Sequence, residues 1–249
     1  MKAFITKFFK FLAVAAVWLL LWQIAAAVTN REYILPYPKT VFAELFNLAI
    51  KKEFYISVFL SLFNVMSGFV AGVMAGSLLA VISALSDLLK SFLAPLSAVI
   101  KATPVASFIL LFYIFFDRSL ISPLISMLIV VPLVWKNVYF GIKSADSSLL
   151  EMSECFHLKR KYVVKYIYFT AIKPHFISAV LTASGLAWKA GIAAEVICSP
   201  THTIGYYLYR AKINFNTPEL FAETAVVIII SFIIEKIIEG LLKKWSCKA

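Results

Sequence analysis

Long charge-free runs alternate with short polar stretches along this chain, and the alternation predicts its elements. Phe11 to Asn30 carries no charge. At roughly 1.5 Å rise per residue such a run reaches across the about 30 Å hydrocarbon core of a bilayer. Phe54 to Ser86 is a second charge-free run. As one helix it would be about 50 Å long, so it must tilt, kink or protrude. Pro104 to Phe116, Ser119 to Trp135, His175 to Cys198 and Leu220 to Leu242 complete a set of six predicted spans. The third is short, and its apolar flank from Ala102 can extend it. Pro123 and Pro132 lie inside the fourth, where neighbouring helices can satisfy the freed carbonyls.

The polar stretches fill the gaps. Pro36 and Pro38 break any helix after the first span, and Val41, Leu45 and Leu48 then recur at helical spacing, which predicts a short interfacial helix. Asp87 to Thr103 reads as a mildly polar link, and Ser199 to Pro218 as a loop. The largest polar segment, Lys143 to Pro174, must lie outside the bilayer core, where water or a partner satisfies its charges. Its first half predicts a short helix. Ser148 and Glu151 have the spacing of a capping box, and Leu149, Met152, Ser153 and Phe156 share one face. A helix of two or three turns is marginal alone in water, so it needs something to pack against.

Within the second span, Gly68, Gly72 and Gly76 repeat at intervals of four, which lets another helix approach closely. The alternative is a helix that merely tolerates glycine.

Composition agrees with a membrane protein. The chain of 249 residues is 62% hydrophobic, against about half for soluble domains, and its mean hydropathy is +0.89. The net charge of +11 would suggest nucleic acid in a soluble protein; here it fits basic cytoplasmic loops. With both termini inside, 16 of the 24 Lys and Arg fall in inner segments, seven in outer ones, and Lys189 within a span. That bias predicts cytoplasmic N- and C-termini and a cytoplasmic Lys143–Pro174 loop. The basic residues after the first span run against it. The first apolar run is about as long as a full span, and Val28-Thr29-Asn30 at its end is a poor small-x-small cleavage site, so it reads as a span rather than a removed signal peptide. The chain reads as a single transmembrane domain over residues 1–249.

Candidate chemistry is sparse. There is no phosphate-binding P-loop, no H-E-x-x-H and no G-x-S-x-G. Cys155, Cys198 and Cys247 have no metal spacing, and His157, His175 and His202 stand singly in or beside loops. The expectation is a non-enzyme without metal or cofactor. Lys189 and Glu195 are charges inside a span, where ionisable groups are costly and face a cavity or one another. Six residues subtend roughly 600° on a helix, so the two point to different sides. Both can also snorkel to an interface. A secondary transporter would use such residues for ion coupling, but it usually shows an internal repeat, and none is visible.

The polar stretch and the helix after it resemble the permease subunits of type I, binding-protein-dependent ABC importers. Those carry a loop pattern E-A-A-x-x-x-G followed by I-x-L-P. Here Glu151-Met152-Ser153 with His157 occupies the first part, and Ile167-Tyr168-Phe169-Thr170 the second. Ser153, His157 and Thr170 depart from the pattern, and His157 stands where glycine would ease a turn. The run Gly185 to Ile197, including Trp188, Lys189 and Glu195, with Ile204-Gly205 beyond it, is similar to the nitrate/sulfonate/taurine branch. Leu35 to Pro38 and Ser61 to Gly76 fit the same branch.

The resemblance covers about residues 10 to 245. It implies an all-α permease fold of about six transmembrane helices and a pathway formed by two copies, as a homodimer. It implies two ATP-binding cassette ATPase subunits docked on the cytoplasmic loops, and an extracytoplasmic binding protein that delivers the solute. Ser148 to Phe156 would be the coupling helix, with His157 at its end. Trp188, Lys189 and Glu195 are the candidate pathway residues. Transport would proceed by alternating access, biased by the different affinity of ATP for the two states.

Overall fold

A computed structural model describes residues 2–247, and among these there are helices and connections but no strand. Lys248 of the C-terminal basic cluster lies outside the described residues. In lipid the backbone must satisfy its own hydrogen bonds, so charge-free runs fold as helices. The elements are α1 (Lys2–Thr29), α2 (Pro38–Ile50), α3 (Lys52–Leu85), α4 (Asp87–Ala102), α5 (Val105–Phe115), α6 (Arg118–Lys143), α7 (Ser147–Cys155), α8 (Arg160–Val163), α9 (Phe169–Cys198), α10 (Ile204–Ile213) and α11 (Thr217–Cys247). A π-helical turn, Val164–Tyr168, joins α8 to α9, so one continuous helix runs from Arg160 to Cys198.

The bundle is built on the seam between α3 and α6. Gly68 faces Pro123, Gly72 faces Met127 and Val130, and Gly76 faces Val131 and Val134. Residue numbers rise together, so α3 and α6 run parallel. The three glycines are there because no Cβ fits: one on Gly72 would lie 2.7 Å from the Val130 Cβ, and one on Gly76 2.8 Å from the Val131 carbonyl oxygen. At the far end of the seam Trp135 Nε1 donates to Ser83 Oγ at 2.9 Å.

Helix α9 packs antiparallel to both. The Ser122 hydroxyl donates to the Gly191 carbonyl at 3.1 Å and the Ser126 hydroxyl to the Ala187 carbonyl at 3.2 Å. Near the other end Gly141 abuts Ile172. Helix α11 runs back along α9, fixed by Trp188 Nε1 donating to the Val227 carbonyl at 3.1 Å. The core between these four helices holds Val65, Phe69, Val130, Val134, Ala183 and Trp188.

Parallel α3 and α6 require the chain between them to return across the bundle. That return is α4 and α5, bent by 104° at Thr103-Pro104. The residue before a proline is pushed out of the helical region, and Thr103 is extended at φ −83°, ψ 132°. Helices α3, α6 and the Arg160–Cys198 helix are each long and apolar enough to cross a membrane, and the bent pair α4–α5 makes a fourth when counted as one broken span. With the two other long helices, α1 and α11, these correspond to the six expected spans. The third differs from its expectation. Asp87–Thr103 is helical rather than a link, because its few charges lie on one side of an otherwise apolar helix.

Three further expectations are corrected. Residues 199–218 are not simply a loop, since α10 forms within them, capped by the Thr203 hydroxyl accepting from Tyr206 N at 3.2 Å. Arg160 to Pro174, expected to be part of the polar stretch, is the opening of the long helix. Helix α2 carries Val41 and Leu48 as predicted, but it buries them against Ala222 of α11 instead of leaving them to the interface.

Candidate coupling helix and polar sites in the bundle

Helix α7 stands at the end of the bundle between α6 and the long helix. Its cap is not the expected Ser148–Glu151 box. Asp146 is the N-cap: its Oδ1 accepts from Ser148 N at 2.9 Å and from Ser148 Oγ at 2.7 Å. Those hydrogen bonds hold the Asp146 carboxyl below the usual carboxylate range.

At the other end the chain turns through His157 in the left-handed region, φ 49°. Leu158 N donates to the Ser153 carbonyl and His157 N to the Glu154 carbonyl, both at 2.9 Å. This crossed pair closes a helix whose next residue is left-handed, the position glycine favours. His157 thus makes, under strain, a turn that glycine would make freely. A side chain there costs roughly 1 kcal/mol. His157→Gly is expected to stabilise the end of α7 by about that amount, read as slower amide exchange at Phe156 to Leu158. Unchanged or faster exchange would remove strain at His157 as an explanation.

Only Ser153 of α7 is buried, its hydroxyl donating to the Leu150 carbonyl at 2.7 Å. Leu149, Met152 and Phe156 are exposed, as are Glu151 and Glu154. A nine-residue helix thus presents an apolar side with nothing of its own chain on it. Beside it, the opening of the long helix carries Arg160, Lys161, Lys165 and Lys173 around an open cleft of about 1130 Å³, with Tyr166 and Phe169. Lys161 and Lys165 sit over the stacked rings of Tyr162 and Tyr166, 5.1 and 5.3 Å from the centroids. No acidic residue occurs between Glu154 and Glu195, so this surface is strongly positive.

The three candidate pathway residues separate in space. Trp188 is fully buried with its indole N–H committed to Val227, which takes it out of any surface a solute could touch on this protomer. Lys189 is exposed on α9, in a stripe with Leu186 and Ile197 that faces off the bundle. The pairings of Ser122 with Gly191 and Ser126 with Ala187 put it level with Leu124, about 9 Å along α6 from Arg118. It lies inside the charge-free run, towards the Arg118 end rather than at its centre.

Glu195 is fully buried, on a different side of α9 as its spacing requires. Its Oε2 accepts from Ser61 Oγ at 2.5 Å, and Asn64 Nδ2 lies 3.5 Å from Oε1. Ser61 Oγ in turn accepts from Ile204 N at 2.9 Å. Gly205 packs directly on the Glu195 backbone, with no room for a Cβ. One carboxyl thereby ties the N-terminus of α10 to α3 and α9. Sequence reasoning missed Ser61, Asn64 and Gly205 as its partners. For Ser61 and Asn64 the signal was present as polar residues inside an apolar run, but more than a hundred residues separate each from Glu195; Gly205 follows it by only ten.

Parallel and antiparallel long helices packed on a glycine seam, with a short exposed helix at one end, make a helical membrane bundle. A model of the family "Binding-protein-dependent transport system inner membrane component" matches residues 68–244, and the chain belongs to that family. It is similar to SsuC of Bacillus subtilis (strain 168), which carries the name of an aliphatic sulfonates transport permease protein. The two are 23% identical over 115 residues, 45% of this chain and 41% of that relative's own length. Among solved structures, an amino acid ABC transporter crystallised with histidines matches with a TM-score of 0.59 at 17% identity, over 76% of this chain and 90% of that one. The fold is that of an ABC transporter permease.

Proposed function

We propose that this chain is the membrane-spanning subunit of an ATP-driven importer, and that it passes force to a separate ATPase through α7. The observation that carries the reading is the apolar side of α7, Leu149, Met152 and Phe156, exposed on a rigidly capped helix at the end of the bundle. Such a face is costly in water and fits a groove on a partner. The positive surface from Arg160 to Lys173 beside it favours the same end of the bundle for the cytoplasm. Both termini would then be cytoplasmic. A second copy completes the pathway, and a binding protein delivers the solute from outside. The solute is of the nitrate, sulfonate or taurine type, which an exposed Lys189 within the membrane suits, since a lone cation there attracts an anion.

The test is affinity capture of the tagged protein in mild detergent, with the captured partners identified by mass spectrometry, alongside uptake. Glu151→Arg, or two glycines inserted within 149–156, is expected to release the ATPase and abolish uptake while the protein still inserts. Normal uptake by these variants would refute the coupling role of α7. Transport in liposomes without any ATPase, driven by an ion gradient, would replace the reading with a secondary transporter. Lys189→Ala is expected to lower uptake or solute-stimulated ATP hydrolysis; an unchanged profile would return Lys189 to a snorkelling surface lysine.

A further inference from the structure

Helix α4 has an apolar side that nothing in the protomer covers. Leu88, Phe92, Leu96 and Val99 are between 51% and 80% exposed. At roughly 100° per residue they form one stripe of the helix. The adjacent stripe, Leu89, Leu93, Ser97 and Ile100, is buried or half-buried towards the body of the bundle. Asp87, Lys90, Ser91 and Lys101 occupy the side opposite to these two stripes.

The position of α4 says what covers the bare stripe. Lys90 Nζ lies 5.2 Å from the centroid of the Tyr139 ring, which places the start of α4 beside α6 near Tyr139. The chain bends by 104° between α4 and α5, which sets α4, about 24 Å long, nearly at right angles to α5. The level is that at which the charge-free runs of α3 and α6 stop together, at Ser86 and Trp135, pinned by the bond from Trp135 to Ser83. At this level hydrocarbon gives way to headgroups.

We propose that α4 is an in-plane membrane anchor, lying along the bilayer surface at the end of the bundle that carries α7. Leu88, Phe92, Leu96 and Val99 enter the acyl chains, and Lys90 and Lys101 sit among lipid phosphates. Amphipathic helices that lie in the interface bury an apolar side about 5–10 Å deep and place lysines at the headgroups. The 104° bend at Thr103-Pro104 then turns the chain from the plane of the membrane into α5. With α4 held in the plane, the return crossing falls to α5 and its extended flanks.

The test uses the full-length protein in vesicles of phosphatidylethanolamine and phosphatidylglycerol. Cys155, Cys198 and Cys247 are replaced, and single cysteines are placed at Leu88, Phe92 and Leu96, and at Ser91 and Ala98 as controls on the other side. Each carries a nitroxide label, and its collisions with oxygen, which partitions into lipid, and with a water-soluble nickel chelate are measured. Labels at Leu88, Phe92 and Leu96 are expected to favour oxygen several-fold over those at Ser91 and Ala98, at a depth of about 5–10 Å below the phosphates. Few collisions with either reagent, together with dipolar broadening between labels, would overturn the proposal and put a second copy of the chain on this face. A preference for nickel at all five positions would overturn it by placing α4 in water.

Discussion

Replacing Gly68 with leucine is expected to prevent the bundle from forming. The α3–α6 seam is the most extensive contact in the fold, and Gly68 sits against the Pro123 backbone so closely that even a Cβ would overlap its carbonyl. The obstacle is backbone, which cannot rotate aside as a side chain can. The prolines give the reason for the fit. Pro123 and Pro132 lie inside α6, where each lacks the N–H that would bond the preceding turn. Close approach of the glycine face of α3 to this side of α6 lets the two helices pack through backbone and small groups, the main source of helix association in lipid. Forcing them apart along the seam would cost well over about 3 kcal/mol, at the upper end for overpacking. The variant should yield little monodisperse protein in detergent. Gly240 provides the comparison, since a Cβ there meets nothing within 4 Å. Gly240→Ala should be neutral or stabilise α11 by about 0.5–1 kcal/mol, because alanine loses less backbone freedom in a helix. If Gly68→Leu melted like the parent, close packing at this seam would not be what the glycine supplies.

Removing the Glu195 carboxyl is the second large effect. Glu195→Ala leaves the buried Ser61 hydroxyl facing a void, cut off from water, and takes an acceptor from the half-buried Asn64 amide. An unsatisfied buried donor costs about 1–3 kcal/mol, and the cavity adds to it. The expected loss is about 3 kcal/mol or more, seen as a clear drop in the thermal midpoint in detergent. Glu195→Gln keeps the shape and one acceptor for Ser61, so it should recover most of that stability. A pathway role predicts a different pattern: Glu195→Gln would melt normally but transport poorly. Uptake measured beside melting separates the two. Equal melting of the alanine variant and the parent would show that the tie between α9, α3 and α10 carries little of the fold.

Much of the architecture was legible in the sequence, and for a simple reason. A bilayer imposes one length scale and forbids unpaired backbone groups, so charge-free runs translate directly into helices. Phe54–Ser86 became α3 within two residues, and Ser119–Trp135 became the first part of α6, which runs on to Lys143. Gly68, Gly72 and Gly76 advertised a contact face, and Leu149, Met152 and Phe156 an exposed one. Local pattern failed where a helix is polar on one side only. Asp87–Thr103 and Ser199–Pro218 read as connections because window averages hide an amphipathic turn. The α7 cap was misplaced by two residues, since Asp146 competes with Ser148 for the same role and only the three-dimensional turn chooses between them.

The sequence alone therefore determined that this is a multi-span helical membrane protein with a short exposed helix between its fourth and fifth spans. It also determined which helix face is made of glycine. Tertiary structure decided the rest. It buried Trp188 in the core, left Lys189 on the outside and enclosed Glu195 with Ser61 and Gly205. All three lie within eight residues of one helix, and nothing local distinguishes a core-facing position from an outward one when every face is apolar. It also made α3 and α6 parallel neighbours, which required α4 and α5 to bring the chain back, and set α4 nearly at right angles to α5. Spacing along a chain fixes the angle around a helix; only the packing of other helices fixes what stands at that angle.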